Sequence, residues 1–269
     1  MDYNNFNKDI NIFELYRYFV GVQQEDLMIQ QLKEKIGKNY LQLMKEIENT
    51  KPFASDFYEM RTDYRESKRF NVEFKEQVNR TFEPTYNKIK FEHAIQRNIA
   101  YNTAEFKEVL GDVLYYEFPL FYKSKVSSSN TGSIDIIAYD EQNNILYLDE
   151  LKKTSGGNLN KEKYYEKTPE LFIRAYAEIT TYYAFFKELY EMRQPQFVKF
   201  LYSIIKNFNQ EKYNNLKIKK GIIGPASLFN SKYIDYISDC EFYVIETVVD
   251  DLKTKKVKDK GLFKIKKYE

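Results

Sequence analysis

The sequence predicts an α/β protein whose mixed β-sheet is flanked by helices. Two observations lead to this prediction. Short runs of β-branched and aromatic residues, typical of strands, alternate with longer segments in which apolar residues recur at helical spacing. The 269 residues are enough for one such core and a further helical region. We therefore expect an amino-terminal helical region over residues 1–85 and an α/β core over residues 86–269.

Helices dominate the predicted amino-terminal region. Apolar residues follow helical spacing in segments 13–19 and 27–36, and Gly37 is placed to end the second helix. The elements predicted after this region, in chain order, are a helix over Lys88–Tyr101, a short helix capped by Asn102 or Thr103, strands over Leu114–Tyr122, Ser133–Tyr139 and Ile145–Lys153, helices from Thr168 to about Met192 and from Gln196 to about Asn209, and strands near Leu216–Ile223 and Glu241–Val249.

The charge of the chain is nearly balanced, with 42 basic and 40 acidic residues and a net charge of +2. Charge alone therefore does not indicate a nucleic-acid-binding protein. The basic residues are clustered, however. Segment 253–267 contains eight lysines and one acid, Asp259, and forms a basic carboxyl-terminal tail. A second basic stretch consists of Lys212, Lys217, Lys219 and Lys220. Two interpretations stay open for these lysines, contacts with phosphate groups or a solvated surface.

Three features bear on location and redox chemistry. Segment 1–10 lacks the pattern of a signal peptide, and no stretch approaches the roughly 18 unbroken apolar residues of a membrane span. We therefore expect a cytoplasmic protein with no membrane partner. The single cysteine, Cys240, excludes an intramolecular disulfide and a cysteine-cluster metal site, and we expect it to be a small buried apolar residue.

The chemistry concentrates in the hairpin formed by the second and third predicted strands. Side chains two positions apart on a strand share a face, so Glu150 and Lys152 point the same way and Asp149 points oppositely. If residues 141–144 form the turn, Asp135 lies directly opposite Glu150, with Cβ atoms about 5 Å apart. Two carboxylates and an ammonium group then converge on one patch.

Opposed carboxylates on such apolar strands repel each other unless a positive charge lies between them. A divalent cation supplies that charge, and hard oxygen ligands at this separation suit Mg²⁺, for which Mn²⁺ can substitute. A metal-activated water attacking phosphorus, with Lys152 neutralising the developing charge or orienting the nucleophile, would hydrolyse a phosphodiester. In the alternative, Lys152 alone neutralises one carboxylate and the hairpin has a polar face toward solvent.

Two segments of the hairpin resemble motifs of the PD-(D/E)xK nuclease superfamily and, within it, of the RecB, AddB and Cas4-like branch. Gly132-Ser133-Ile134-Asp135 resembles the first acidic motif, and the segment 149–154, Asp-Glu-Leu-Lys-Lys-Thr, resembles the (D/E)xK motif. The resemblance covers roughly residues 88–192. It implies a restriction-endonuclease-like core and a magnesium-dependent deoxyribonuclease. Because the iron–sulfur cysteines of that branch are missing, it implies kinship with cluster-free members.

The resemblance also implies roles for individual residues. In such families the lysine of the second motif is catalytic, and the metal is bound by the two acids, a helical histidine and the carbonyl group between acid and lysine. The corresponding residues here are Lys152 for catalysis and Asp135, Glu150, His93 and Leu151 for the metal. Glu92, next to the histidine, is the reserve ligand, because many members of the superfamily use a helical glutamate.

Glu178 and Tyr182 lie in the predicted helix that ends near Met192. The segment Glu-Ile-Thr-Thr-Tyr resembles the QxxxY motif of the same branch, with glutamate in place of glutamine, and this implies a catalytic role for both residues. The helix is apolar on nearly every side and is predicted to be buried, so its glutamate needs a partner. Lys152, Tyr182 or a water at the metal would serve, and so would a salt bridge to Arg174.

We therefore expect a metal-dependent nuclease that hydrolyses DNA phosphodiester bonds. The alternative is a catalytically inactive protein of the same fold that binds nucleic acid or serves in an assembly, and a metal-dependent hydrolase of another substrate is a third option. The oligomeric state and a protein partner are left open. So is the role of residues 1–85, which could be a DNA-gripping lobe, an oligomerisation surface or plain packing.

Overall fold

A computed structural model of the chain describes residues 91–119, 133–152, 170–193, 195–229, 234, 237–249 and 251–269. The predicted amino-terminal helical region lies outside these residues. The helices are α1 (Phe91–Tyr101), α2 (Thr103–Leu110), α3 (Glu170–Glu191), α4 (Pro195–Ile204), α5 (Gln210–Asn214) and α6 (Ala226–Phe229). The strands are β1 (Asp112–Pro119), β2 (Ser133–Asp140), β3 (Ile145–Leu151), β4 (Lys217–Gly224), β5 (Cys240–Thr247) and β6 (Phe263–Lys267).

The six strands form one mixed sheet in the order β1-β2-β3-β4-β5-β6. The first three strands are an antiparallel meander, β3, β4 and β5 run parallel, and β6 returns antiparallel to β5. The carboxyl ends of β3, β4 and β5 therefore meet the amino ends of β2 and β6 at one edge of the sheet. We call this edge the carboxyl edge.

Helices cover both faces of the sheet, which confirms the predicted α/β class with a mixed sheet flanked by helices. On one face, apolar side chains of α3 and α4 pack against residues such as Leu146 and Leu148 of β3. On the other face, α1, α2 and the segment before β6 pack against residues such as Ile136 of β2 and Ile245 of β5. The sheet is thus the middle of three layers.

Helix α3 is buried along much of its length, as its apolar sequence predicts. Its fully buried side chains include Phe172, Tyr176, Ile179 and Phe186. The cost of burying its polar residues falls on Glu178 and Thr180, which face the sheet and need partners there. Despite this burial, none of the described helices is both long and apolar enough to cross a membrane.

The carboxyl-terminal segment is part of the sheet, so the expectation of a basic tail is wrong for it. Strand β6 pairs with β5, and Phe263 and Ile265 are buried whereas Lys264 and Lys266 are exposed. The segment before it is fastened to α1, because the Asn98 side chain donates to the carbonyl groups of Val257 and Asp259 at 2.6 and 2.8 Å. Burial of alternate residues therefore holds a lysine-rich strand in place.

The end of one helix also differs from the prediction. The helix expected over Gln196–Asn209 ends at Ile204, because the chain turns through Asn207, whose φ is +55°. Asn209 then caps the amino end of α5, and its side chain accepts a hydrogen bond from the Lys212 N–H at 2.8 Å. The buried cysteine is as expected, since Cys240 is a free, buried thiol.

Candidate active site

The carboxylate hairpin has the predicted register. Asp140 pairs with Ile145 and Ile136 with Asp149, so the next pair outward places Asp135 opposite Glu150. Next to this pair, the Leu151 N–H donates to a side-chain oxygen, Asp135 Oδ2, at 2.8 Å, and not to a backbone carbonyl group of β2. This bond fixes the Asp135 carboxylate at the carboxyl edge, beside the end of β3.

Lys152 connects the hairpin to α3. Its Nζ donates to Glu150 Oε1 at 2.6 Å and to Glu178 Oε2 at 2.5 Å. Of the partners considered for Glu178, the structure confirms Lys152. The side chain of Arg174, another candidate partner, lies outside the described part. Lys152 is thus held between a carboxylate of β3 and a carboxylate of α3. Its side chain is 18% exposed.

The carboxylates of the hairpin are buried. Asp135 is 7% and Glu150 5% exposed, so the alternative is wrong in placing this face toward solvent, although Lys152 does pair with one carboxylate, that of Glu150. Burial raises the pKa of Asp135 to about 8, and the charge of Glu92 adds to the increase. Burial, followed by the charge of Asp135, likewise holds the pKa of Glu150 well above its usual range. Both carboxyl groups therefore hold a proton more tightly than a solvated carboxyl group does, unless a cation lies close to them.

Lys152 stays a cation in this setting. Burial by itself lowers the pKa of its ammonium group, but the surrounding carboxylates, led by Glu150 and Glu178, outweigh burial and hold this pKa well above its usual range. A lysine with a raised pKa is a poor base and a persistent positive charge. Lys152 is therefore suited to stabilising an anion or orienting a nucleophile.

Two carboxyl groups of the site have oxygen atoms that could bind a divalent cation. Glu150 Oε2 is buried without a hydrogen-bond partner, and Asp135 is engaged through one oxygen by the Leu151 N–H. Within the described ranges, no three His, Cys, Asp or Glu side chains form a group that could hold a metal. The protein ligands would thus be the two carboxylates, which suits Mg²⁺ because this ion keeps several of its waters.

His93 and Glu92 lie on α1, and the structure gives them different surroundings. His93 Nδ1 pairs with Glu117 of β1, and 41% of its side chain is exposed. The charge of Glu92 acts on both Asp135 and Lys152, which places the reserve ligand near the site. The metal roles of His93 and of the Leu151 carbonyl group stay predictions, and so does the catalytic role of Tyr182, which is buried on α3.

A second buried lysine lies one strand away, where the sequence suggested only a basic stretch. Lys220 of β4 is 2% exposed and lies beside Leu148 of β3. Its Nζ donates to Thr180 Oγ1 at 2.8 Å and pairs with Asp239 at 2.6 Å. Strand parity could have found it, since Lys220 shares a face with Ile222 that points toward α3.

Asp149 is buried on the opposite face of the sheet, where parity places it. It is 0% exposed, and both carboxylate oxygens lack a hydrogen-bond partner among the described residues. It has room because its neighbour on β4 is Gly221: a Cβ there would overlap Asp149 Oδ1 and lie 3.1 Å from the Tyr243 ring. Burial and the charge of Glu241 raise the pKa of Asp149 to about 8.

Comparison of the chain with protein-family models, curated proteins and solved structures finds no match.

Proposed function

We propose that the protein is a magnesium-dependent nuclease that hydrolyses DNA phosphodiester bonds. The observation that supports this most directly is the convergence of Asp135, Glu150 and Lys152 at the carboxyl edge, with Glu178 behind the lysine. A mixed sheet with helices on both faces agrees with the restriction-endonuclease-like fold that the motif resemblance implies. The preference for DNA comes from the same resemblance.

In this proposal Asp135 and Glu150 hold the metal. When bound, Mg²⁺ would act as a Lewis acid that activates water and neutralises phosphate charge. Each carboxyl group has a raised pKa, so binding of the ion would release protons from the site and would offset the cost of burying two negative charges. The Leu151 N–H keeps Asp135 in the orientation in which it faces Glu150.

Lys152 supplies the cation that the developing negative charge on phosphate requires. Its ammonium group is already fixed by two short bonds, so it needs little reorganisation during the reaction. Glu178 acts as a positioning residue, because it holds Lys152 from α3 and contributes to its raised pKa. Together the two glutamates keep the lysine protonated and aimed at the carboxyl edge.

Cleavage of DNA by the purified protein tests the proposal. Linear, circular and single-stranded DNA should be incubated with Mg²⁺, Mn²⁺ or EDTA. We expect metal-dependent cutting that EDTA abolishes, and the circular substrate distinguishes endonuclease from exonuclease action. A folded protein that cuts none of these substrates with either metal would overturn the proposal and favour the inactive nucleic-acid-binding or assembly protein.

Binding of Mg²⁺ is also expected to raise the melting temperature. At ten times the dissociation constant the stabilisation is about 1.4 kcal/mol, or about 3–6 °C for a domain of this size. Asp135→Asn removes one of the two carboxylates and should abolish the shift, measured by thermal denaturation with and without the metal. Asp251→Asn, the same change at an exposed position, should retain it. An equal shift in both variants would place the ion elsewhere.

A further inference from the structure

The candidate site supplies little positive charge of its own to a phosphate backbone. Three buried carboxylates, those of Asp135, Glu150 and Glu178, surround the single ammonium group of Lys152. The net charge of the whole chain is only +2, so no general positive field compensates. Cationic side chains elsewhere on the protein would therefore strengthen binding of a nucleic acid.

The second basic stretch does not provide that surface. Lys212 pairs with Glu141 at 3.0 Å, Lys219 pairs with Glu241 at 2.9 Å, and Lys220 is buried. These three charges are neutralised within the protein. Lys217, the fourth lysine of the stretch, is exposed but lies at the amino end of β4, at the opposite end of the strands from the carboxyl edge.

The segment around β6 does provide free positive charge. Lys253, Lys260 and Lys264 are exposed and Lys255 is half-buried. No ion pair between described residues involves these four ammonium groups. We call these four residues the lysine surface.

The lysine surface is held rigidly, although its side chains are solvated. Leu252, Val257 and Leu262 are buried between its lysines. Hydrogen bonds from Asn98 of α1 to the backbone fasten the same segment, and the Gly261 N–H donates to Glu105 at 3.0 Å. A preorganised backbone reduces the entropy that phosphate binding costs.

Its position relative to the site follows from the sheet. The amino end of β6 and the carboxyl end of β3 lie at the same carboxyl edge, three strands apart. Three strand spacings are about 14 Å, which equals the rise of about four base pairs along a DNA duplex. Lys264 lies on the α3 face at this edge, because it alternates with Phe263 and Ile265, which pack on the α1 and α2 face. The other three lysines belong to the segment packed on the α1 and α2 face, so a duplex that contacts both Lys152 and the lysine surface has to lie along the carboxyl edge.

We propose that the lysine surface binds the phosphate backbone of duplex DNA a few base pairs from the site of cleavage. This rests on the proposed nuclease function and specifies how its substrate is held. The contacts are electrostatic and independent of base sequence, because lysine ammonium groups bind phosphates as point charges.

Binding of a short fluorescent DNA duplex, measured by anisotropy in EDTA over a series of salt concentrations, tests this. The triple variant Lys253→Gln, Lys260→Gln, Lys264→Gln should reduce the slope of log K against log salt by about 2 to 3, and weaken binding at low salt by at least about tenfold. The matched control Lys199→Gln, Lys206→Gln, Lys217→Gln removes three other exposed lysines and should change the slope by less than about 1.

Three outcomes would overturn the lysine surface: an unchanged slope in the first variant, an equal loss in both variants, or retention of the wild type on phosphatidylserine vesicles without duplex binding. The assay needs no cleavage. If the wild type does not cut DNA but the first variant has a reduced slope, the nuclease proposal fails and the lysine surface stands. If the wild type cuts DNA normally but the first variant has an unchanged slope, the lysine surface fails and the nuclease proposal stands. Melting temperatures of both variants check that they fold.

Discussion

Replacement of Lys152 by methionine is expected to lower the rate of DNA cleavage by about 10²–10³-fold, the usual effect of removing one fixed group that stabilises transition-state charge. Methionine fills a similar volume but has no cation. The effect should appear in the single-turnover rate at saturating enzyme, where weaker binding contributes little. Glu178→Gln removes the negative charge of the glutamate but leaves a hydrogen-bond acceptor next to Lys152. It should lower the cleavage rate by about tenfold or less.

Lys220→Met is the matched control, because it removes the other buried lysine of the same sheet face. Breaking a buried ion pair costs about 3–5 kcal/mol when the partner stays behind, so both lysine variants are expected to be less stable than the wild type. Asp239 is 43% exposed and can recover solvent, which should moderate the loss for Lys220. Only Lys152→Met should lose activity per folded molecule. Equal losses of activity per folded molecule in both variants would show that Lys152 affects cleavage only through the stability of the fold.

Much of the hairpin geometry could be predicted from the sequence. Strand parity and the length of the turn are enough to place Asp135 opposite Glu150, and to send Asp149 to the other face. The apolar sequence of α3 is enough to predict that Glu178 is buried and needs a partner. These inferences succeed because each depends on a local period and on one energetic cost.

Tertiary pairing was harder to predict. Helical spacing puts His93 on one stripe with Gln96, but only Gln96 is buried, because His93 faces Glu117 at the end of β1. The strand β6 carries a clear alternation of apolar and basic residues, yet the density of lysines suggested a tail. Free and neutralised lysines look alike in a sequence, since the difference depends on acids brought close by the fold, such as Glu241.

The largest expected effect on stability concerns pH and Asp149. The pKa of the Asp149 carboxyl group is about 4 in the unfolded chain and is raised to about 8 by burial in the folded protein. Between these pH values the folded protein therefore keeps a proton that the unfolded chain releases. The free energy of unfolding of the wild type therefore falls as pH rises through this window, by up to about 1.4 kcal/mol per pH unit. Asp149→Asn does not titrate, so it should gain about 4 kcal/mol relative to the wild type between pH 5 and pH 8.

Urea denaturation of both proteins at several pH values measures this difference. Other carboxyl groups with raised pKa values, such as those of Asp135 and Glu150, are common to the two proteins and cancel in the comparison. Asp251→Asn, an exposed aspartate, should change the free energy of unfolding by less than about 0.5 kcal/mol at pH 8. Parallel stability curves for Asp149→Asn and the wild type would show that Asp149 is ionised in the folded state. The Asp149 carboxylate, which packs closely against Gly221, would then be a buried anion. Its apolar surroundings would not offset the free-energy cost of burying that charge.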